Sequence, residues 1–326
     1  MKRKRTKNKY AKYGYLFSIP FILTFLLFSL YPIIYTFTIS FSDLNGVASG
    51  DIVFLDNIFQ NYTDMLNNQT FRISLQNTVI LWVVNFFPQI VLATALAAIF
   101  TNKRLNIKQS GLFKTLFYMP NIITAASIAI LFGSLFGAPT GPINDIFMRL
   151  GFIEESVHWF RNATTARGTV AFIQFWMWYG STMIVMIAGI NGINPSLFEA
   201  AAIDGATNTQ TFFKVTLPQL KPIVLFTLVT SFIGGMQMFD IPRLLVDRSG
   251  PDNATLTTAV FIFNQAFGGA RMWNRAAAAS MILFAVCAVI AGGLFFIFRD
   301  KEAIALEKER KRKRKMRQGG MNNGKI

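Results

Sequence analysis

The chain has few of the residues from which metal and catalytic centres are usually built. It contains one cysteine, Cys287, and one histidine, His158, among its 326 residues. An intrachain disulfide is therefore impossible, and a zinc site with its usual set of about four ligands is not expected. The sequence has no Gly-x-x-x-x-Gly-Lys-Ser/Thr phosphate loop and no arrangement of Ser, His and Asp that indicates catalysis. These absences predict a chain that neither hydrolyses ATP nor binds a cofactor of its own.

Charged side chains are scarce as well, because Asp, Glu, Lys and Arg make up only 15% of the chain, against roughly 25% in soluble domains. Hydrophobic residues make up 52% of the chain and include 34 Phe. Apolar runs of about 20 residues recur, and each is long enough to cross a hydrocarbon core of roughly 30 Å. The runs are apolar on every face, whereas strands of a membrane barrel alternate over about 10 residues. The composition predicts an all-α polytopic membrane protein.

Six apolar runs define the predicted transmembrane helices. They cover residues 15–40, 79–100, 116–136, 169–190, 223–246 and 276–298. Three quarters of the 32 Lys and Arg residues fall on one side of these helices, which the positive-inside rule assigns to the cytoplasm. The sequence therefore predicts a transmembrane domain over 15–298 between two basic cytoplasmic tails, 1–14 and 299–326. Because the net charge of +16 reflects mainly these tails, it indicates contact with membrane lipid or water and no binding of nucleic acid.

A polar island, residues 192–221, separates the fourth and fifth predicted helices on the cytoplasmic side. Asn194-Pro195 is typical of a helix start, with a capping side chain followed by Pro at the first helical position. Helix-forming residues follow, and Gly205 suits the left-handed turn that ends a helix. Three consecutive alanines, 200–202, give this helix a small-residue face that another protein can approach closely. The alternative is a loop that only links two spans.

A second short helix is predicted after this turn. Thr207 or Asn208 can cap it, and it is expected to run through Val215. Pro218 and Pro222 are expected to end it before the fifth transmembrane helix begins. The polar island is therefore predicted to form a helix–turn–helix that lies against the membrane.

The residue spacing in the polar island resembles a known motif. Glu199-Ala200-Ala201 is followed after three residues by Gly205, and after nine more by Val215-Thr216-Leu217-Pro218. This pattern resembles the EAA motif of permease subunits in ATP-binding-cassette importers, and it departs from that motif in having Val215 where Ile is usual. The residues for which the resemblance implies contact with an ATPase are Glu199, Ala200, Ala201, Asp204, Gly205, Leu217 and Pro218.

The resemblance implies the type I importer permease fold, with six transmembrane helices in a prokaryotic plasma membrane and both termini in the cytoplasm. It also implies partners: a second, similar permease, two ATPase subunits that bind ATP and Mg, and an extracellular or periplasmic sugar-binding protein. The first helix of the polar island is expected to dock in a cleft of the ATPase, where Glu199 pairs with a basic residue. Gly205 is expected to permit the sharp turn that follows.

Weaker similarities to the sugar-importing branch of this family extend over most of residues 15–300. They include Phe117-Tyr118-Met119-Pro120, Phe175-Trp176 and Phe239-Asp240, each in a predicted transmembrane helix. Their order and spacing imply a permease for carbohydrates, with oligosaccharides as the expected substrates. A permease for a non-sugar solute, an ion-coupled secondary transporter and a membrane-embedded enzyme are the alternatives. The secondary transporter calls for intramembrane acids or broken helices in repeated halves.

Polar and aromatic side chains of the predicted helices are candidates for the solute pathway, because polar groups in a membrane usually face a cavity or another helix. Amides and carboxylates suit sugar hydroxyls, and aromatic rings suit the C–H faces of a sugar. The candidates are Gln174, Trp176, Trp178, Tyr179, Gln237, Phe239, Asp240 and Asn264. Hydrogen bonds between helices and an interfacial aromatic belt are the alternatives. For Asp240, an ion pair with Arg243 three residues further on is an equal alternative.

Overall fold

The computed structural model of the protein describes residues 11–46, 52–102, 105, 107–246, 249–269 and 271–298. Regular structure in these residues is helical, apart from an antiparallel bridge between Ser42 and Phe54. The α-helices are Ala11–Phe25 (α1), Tyr31–Ile39 (α2), Gln60–Asn67 (α3), Gln69–Thr101 (α4), Ser110–Ile122 (α5), Ala125–Leu135 (α6), Pro142–Arg149 (α7), Ala163–Asn191 (α8), Pro195–Ile203 (α9), Asn208–Thr211 (α10), Leu217–Gln219 (α11), Lys221–Met236 (α12), Asp240–Leu245 (α13), Thr258–Phe267 (α14) and Trp273–Phe298 (α15). Shorter turns are the π-helical Leu26–Leu30 and Phe212–Thr216 and the 3₁₀ turn Pro251–Asn253.

Five helical segments of the described chain are long and apolar enough to cross a membrane. They are Lys12–Ile39, Gln69–Thr101, Ala163–Asn191, Lys221–Leu245 and Trp273–Ile297. A sixth crossing results if α5 and α6 are counted together, since both are apolar and they adjoin at a bend of 92°. The predicted all-α membrane architecture is confirmed.

The sidedness of the termini and the extent of the two tails stay predictions. α1 begins at Ala11, within the predicted tail 1–14, and residues 1–10 lie outside the described part of the chain. The predicted tail 299–326 lies entirely outside it.

The third transmembrane helix differs from the single run that 116–136 predicts. α5 ends at Ile122, Ile123 is extended with φ −71° and ψ 137°, and α6 then takes a new direction. Thr124 is the N-cap of α6, and its side chain accepts a hydrogen bond from the Ser127 amide at 3.3 Å. The bend is stabilised locally, because this cap satisfies one of the amides that a new helix start leaves unpaired.

The fifth transmembrane helix is interrupted as well. α12 ends at Met236, and the chain leaves the helix from Gln237 to Phe239 before α13 begins at Asp240. α13 packs against both α6 and α8, while α5 packs against α8. The segments that follow the two interruptions, α6 and α13, therefore pack against each other.

The chain divides into two compact units. The first unit contains the described residues up to Leu75 together with Thr258–Ala285. Asn61 of this unit is 3% exposed, and its amide donates hydrogen bonds to the carbonyl oxygens of Ser40 at 3.0 Å and Ser42 at 2.8 Å. Because α3 carries Asn61, these bonds fasten that helix to the end of the first transmembrane segment.

Two further features belong to the first unit. The apolar window of the segment Lys12–Ile39 has 0% of its residues buried within this chain, so its surface is open to lipid or to another subunit. α14 lies between the fifth and sixth predicted transmembrane helices. Its ten residues form an apolar helix that is too short to cross a membrane.

The second unit contains Gln76–Thr257 and the described residues from Val286 onward. One apolar cluster joins α4, α6, α8 and α13 and includes Leu81 and Ile241, both almost fully buried. Another joins α4 and α8 to Leu220, the residue before α12. Because small residues allow close contact between helices in a membrane, the alanines of α4 in this second cluster bring the helices together around Leu220.

Candidate functional site

The two helices of the polar island begin at predicted caps. α9 spans Pro195–Ile203, and the Asn194 side chain accepts a hydrogen bond from the Ser196 amide at 3.1 Å. α10 begins after Thr207, whose side chain accepts from the Gln210 amide at 3.3 Å while the Gln210 side chain accepts from the Thr207 amide at 2.8 Å. This reciprocal pair is a capping box, which satisfies two amides at the helix start.

Gly205 forms the predicted left-handed turn after α9, with φ +70°. Its amide donates to the Ala202 carbonyl at 3.1 Å, and the Ala206 amide donates to the Ala201 carbonyl at 2.9 Å. These two bonds make a Schellman C-cap, which satisfies carbonyl groups that the helix end would otherwise leave unpaired. The predicted order of helix, left-handed turn and helix is present in the polar island, while its position against the membrane stays a prediction.

The expected end of the second helix at Pro218 is wrong. After α10 the chain forms the π turn Phe212–Thr216 and then α11, Leu217–Gln219, which contains Pro218. Proline has no amide hydrogen, and in an α-helix its ring conflicts with the carbonyl four residues earlier. In the wider π turn, the Leu217 amide bonds the Phe212 carbonyl, so the chain accommodates the proline and remains helical. Only Leu220 then separates α11 from α12.

α9 presents an exposed face that combines a carboxylate with apolar surface. Glu199 and Ala200 are exposed, and Ile203 is 87% exposed although it is a large apolar residue. Glu199 and Ile203 lie four residues apart and therefore on one side of the helix, whereas Ala201 on the other side is buried. Ile203 is not among the residues predicted from the sequence, although a large apolar residue directly before the polar turn at Asp204-Gly205 is a signal that could have identified it.

A cleft of about 1060 Å³ lies between the polar island and the second transmembrane helix. α4 lines it with Val91, Ala95 and Ala98, and the island lines it with side chains that include Glu199 and Leu217. Two residues predicted to contact an ATPase therefore also border this cleft. Because the cleft separates the polar island from α4, the island has free space on that side.

The four pathway candidates on α8 lie in two environments. Gln174 is 7% exposed, and its side chain accepts a hydrogen bond at 3.2 Å from the indole of Trp178, which is itself exposed. Trp176 packs edge-on against Phe132 of α6 with ring centroids 5.2 Å apart, and Tyr179 is buried beside an aromatic ring of α5. Gln174 and Trp178 thus combine an amide with an open aromatic surface, whereas Trp176 and Tyr179 pack helices together.

The remaining candidates lie elsewhere. Gln237 and Phe239 are in the interruption between α12 and α13, and Asp240 is the first residue of α13. Gln237 and Asp240 are exposed, and Phe239 is half-buried. Asn264 lies in α14 of the first unit and is not in a transmembrane helix. The role of all these residues in a solute pathway stays a prediction.

Asp240 and Arg243 are both exposed on the short helix α13. The ion pair between them stays an alternative prediction. A salt bridge in the first unit joins Arg275 to Asp64 at 3.4 Å.

Two polar contacts between helices were not singled out from the sequence. Gln89 is 5% exposed and donates to the Thr182 hydroxyl at 2.7 Å, which joins α4 to α8. Asn77 is 2% exposed, donates to the Asn253 carbonyl at 2.7 Å and accepts from the Arg167 guanidinium at 3.0 Å. A polar residue inside or beside an apolar run is the signal that could have identified them.

The described chain combines apolar membrane helices, two of them interrupted, with a helical island that has an exposed acidic and apolar face. This combination is typical of a membrane transport subunit. Interrupted helices at membrane depth are tolerated where they are buried in protein or line a cavity. The chain belongs to the family of binding-protein-dependent transport system inner membrane components, whose family model matches residues 89–300. The predicted membership of the importer permeases and the predicted membrane location are confirmed.

Known relatives match nearly the whole chain. It is 33% identical over 304 residues to the lactose transport system permease protein of Rhizobium radiobacter, covering 92% of this chain and 98% of that protein. It is 34% identical over 278 residues to the arabinooligosaccharides transport system permease protein of Bacillus subtilis, covering 84% of this chain and 85% of that protein. Its fold matches, with a TM-score of 0.74 and 22% identity, a chain of a bacterial ABC transporter involved in the import of the acidic polysaccharide alginate, covering 91% and 99% of the two chains. The type I importer permease fold is thereby confirmed.

Proposed function

We propose that this chain is a permease subunit of an ATP-driven importer for carbohydrates, with oligosaccharides as substrates. It forms half of the translocation pathway and couples to a separate ATPase through the polar island. The observation that carries the proposal is the exposed face of α9, where Glu199 and Ile203 lie side by side at the position of the EAA motif.

The chemistry of α9 favours a protein partner. Burying apolar surface contributes about 25 cal/mol for each Å² removed from water, so covering Ile203 stabilises a complex. Ala200 and Ala202 are exposed and small, and they allow a partner to approach the helix closely. Glu199 then supplies a negative charge that a basic residue of the ATPase can pair.

The carbohydrate assignment is supported by the names of two relatives and by side-chain chemistry. Those relatives are permeases of lactose and arabinooligosaccharide transport systems. In this chain, Trp178 offers an exposed aromatic ring, and the buried amide of Gln174 accepts a hydrogen bond from its indole. An aromatic ring suits a neutral sugar, since the C–H faces of a sugar lie against such rings.

The proposed assembly has four further subunits. A second, similar permease pairs with this chain in the plasma membrane of a prokaryotic cell, two ATPase subunits dock on the cytoplasmic side, and a sugar-binding protein delivers the substrate from outside. Both termini lie in the cytoplasm, where the basic tails contact lipid headgroups or water. ATP and Mg bind to the ATPase subunits, and this chain undergoes the change in access that their closure drives.

Purification in mild detergent tests the proposal. The complex is extracted from native membranes, its subunits are identified, and its ATP hydrolysis is measured with binding protein loaded with lactose, arabinooligosaccharides or no sugar. A second permease and an ATPase are expected, with hydrolysis raised by a loaded binding protein. A chain that purifies without an ATPase and supports uptake driven by an ion gradient would refute the proposal and favour the secondary transporter.

Charge reversal at Glu199 tests the coupling contact. Glu199→Lys is expected to insert into the membrane normally but to lose the ATPase from the purified complex and to lose uptake. The reason is that the introduced lysine repels the basic residue of the ATPase with which Glu199 is proposed to pair. Glu155→Lys is a matched control, since Glu155 is an exposed acid between α7 and α8 and outside the polar island. Normal uptake by Glu199→Lys would contradict the assigned role of Glu199.

A further inference from the structure

Leu220 is the residue at which the polar island becomes the fifth transmembrane helix. Its backbone, at φ −77° and ψ −9°, lies between α11 and α12. Its amide donates to the Thr216 carbonyl at 3.0 Å, and its carbonyl accepts from the Val224 amide at 2.8 Å. The side chain is fully buried at 0% exposure, in contrast to its exposed neighbours Gln219 and Lys221. The buried side chain of Leu220 therefore anchors the end of the island.

The Leu220 side chain packs against Gly189 of α8. A Cβ atom at Gly189 would lie 2.9 Å from Cδ2 of Leu220 and 3.1 Å from Cγ1 of Ile223. Contacts below about 3 Å are too close for carbon atoms, whose optimal separation is about 3.5–4.0 Å. Only glycine at this position lets Leu220 sit directly against the backbone of the fourth transmembrane helix.

The helix is irregular on the side of the island before Leu220. The π turn Phe212–Thr216 replaces regular α-helical bonding, and the Thr216 hydroxyl donates to the Thr211 carbonyl at 3.4 Å. Pro218 has no amide hydrogen to donate in this stretch. π turns of this kind inside helices occur frequently at functional sites. An irregular turn thus precedes a fully buried residue.

The cleft of about 1060 Å³ provides space on one side of the same segment. Phe212 and Leu217 line it from the island, and Ala95 and Ala98 line it from α4. Movement of α9 and α10 about the π turn therefore meets free space before it meets the second transmembrane helix. Movement of Leu220 meets the backbone of α8 at once, because no gap separates it from Gly189.

From these observations we infer that Gly189 and Leu220 are positioning residues that transmit movement of the polar island to the fourth transmembrane helix. The inference rests on the proposed function, because that function supplies the ATPase that moves the island. The π turn is the flexible element and the contact of Leu220 with Gly189 is the rigid one. A displacement that reaches Leu220 is passed to α8 at Gly189 through this contact, in addition to the direct link of α8 to α9 through residues 192–194, and α8 carries the pathway candidates Gln174 and Trp178.

Enlarging the side chain at Gly189 and reducing the one at Leu220 tests the inference. The complex of the wild-type chain with its permease, ATPase and binding-protein partners is reconstituted in liposomes, and sugar uptake per ATP hydrolysed is measured. Gly189→Leu is expected to retain the ATPase subunits but to lower this ratio by at least about fivefold, within the usual range of coupling between sites. Adding Leu220→Ala to Gly189→Leu restores the space and is expected to recover most of the ratio.

Two further variants complete the comparison. Gly168→Leu is the matched control on the same helix, because no atom lies within 4 Å of a Cβ at Gly168, and its ratio should equal that of the wild type. Gly189→Ala adds only a Cβ, whose nearest neighbour is the end of a flexible side chain, so it provides a milder variant if Gly189→Leu does not assemble. It is expected to lower the ratio less than Gly189→Leu while assembling fully.

The outcomes separate the inference from the proposed function. Uptake and ATP hydrolysis that fall in proportion to the amount of assembled complex, with an unchanged ratio, would overturn the inference and leave a packing role for Gly189. Failure of the double variant to recover the ratio would also overturn it. A wild-type chain that recruits no ATPase would refute the proposed function and the inference together.

Discussion

Substitutions of different size at Gly205 test whether this residue only ends α9 or is also covered by a partner protein. Gly205 has φ +70°, where a residue with a Cβ costs roughly 1–2 kcal/mol and Asn costs less. No atom of the described chain lies within 4 Å of a Cβ at this position. Within this chain, substitution of Gly205 by Ala or by the bulky Phe, which is not branched at Cβ, should therefore cost the same backbone free energy, because neither side chain meets a neighbour.

A docked ATPase changes that expectation. If a partner covers the turn, Phe at Gly205 adds a steric conflict that Ala does not, and overpacking a close contact typically costs about 1–3 kcal/mol. Uptake should follow the order Gly, Asn, Ala, Phe, with Gly205→Phe about tenfold or more below Gly205→Ala, since 1.4 kcal/mol is a factor of ten. The assay is initial sugar uptake by cells, normalised to the amount of chain in the membrane and to the ATPase that co-purifies.

Gly151 provides the matched control. It has φ +74° and no atom within 4 Å of a Cβ, but it follows α7 and lies outside the polar island. Gly151→Phe carries the same backbone cost without a proposed partner, so its uptake should match that of Gly151→Ala. Equal uptake by Gly205→Phe and Gly205→Ala would refute the argument that a partner covers this turn.

Two further predictions concern hydrogen bonds between helices in the second unit. Asn77→Ala removes two donated bonds, at 2.7 Å and 3.2 Å, and leaves the Arg167 guanidinium without its acceptor at 3.0 Å. The purified chain should therefore lose about 2–4 kcal/mol of stability, and a lower thermal unfolding midpoint measures this loss. Asn77→Asp keeps an acceptor for Arg167 and should lose less, so equal losses would contradict the argument. Gln89→Leu removes the 2.7 Å bond to Thr182, which should cost only about 0.6–1.7 kcal/mol, as is usual for such bonds in membranes. Thr182→Val should cost a similar amount, and a double variant that loses the full sum would contradict a direct bond.

The parts of the polar island that the sequence predicts correctly are those determined by neighbours in the chain. Asn194 caps α9 through an amide two residues away, and Gly205 ends it with a bond to the carbonyl three residues before it. Such contacts need no information about distant residues, because capping and left-handed turns depend on local side-chain chemistry and backbone freedom. For the same reason, the sequence narrows the cap of the second helix to Thr207 or Asn208, and the structure has Thr207 in that position.

Prolines were less informative than their local chemistry suggests. Pro88 lies inside α4 and Pro120 inside α5, and neither ends its helix. Pro218 was expected to end a helix, yet the π turn before it absorbs the conflict. In a membrane, neighbouring helices and local π adjustments can satisfy the backbone groups that proline frees. Whether a proline breaks a helix therefore depends on packing that one chain segment does not contain.

The interruptions in the third and fifth transmembrane helices show the same dependence on tertiary contacts. Each apolar run is long enough to cross the membrane as one helix, so hydropathy alone predicts a continuous span. Breaking a helix leaves backbone amides and carbonyls unpaired, which is costly in a membrane unless other groups satisfy them. At the break between α5 and α6, the Thr124 side chain accepts a hydrogen bond from a backbone amide of α6. Beside the break between α12 and α13, the Thr257 hydroxyl donates a hydrogen bond to the Met238 carbonyl at 2.7 Å. Thr257 is separated from Met238 by 19 residues, so the partner that makes the second break tolerable could not be predicted from the broken segment itself. The breaks also leave α6 and α13 packed together, so the exposed pathway candidate Asp240 lies at the start of a segment that packs against both the third and the fourth transmembrane helices.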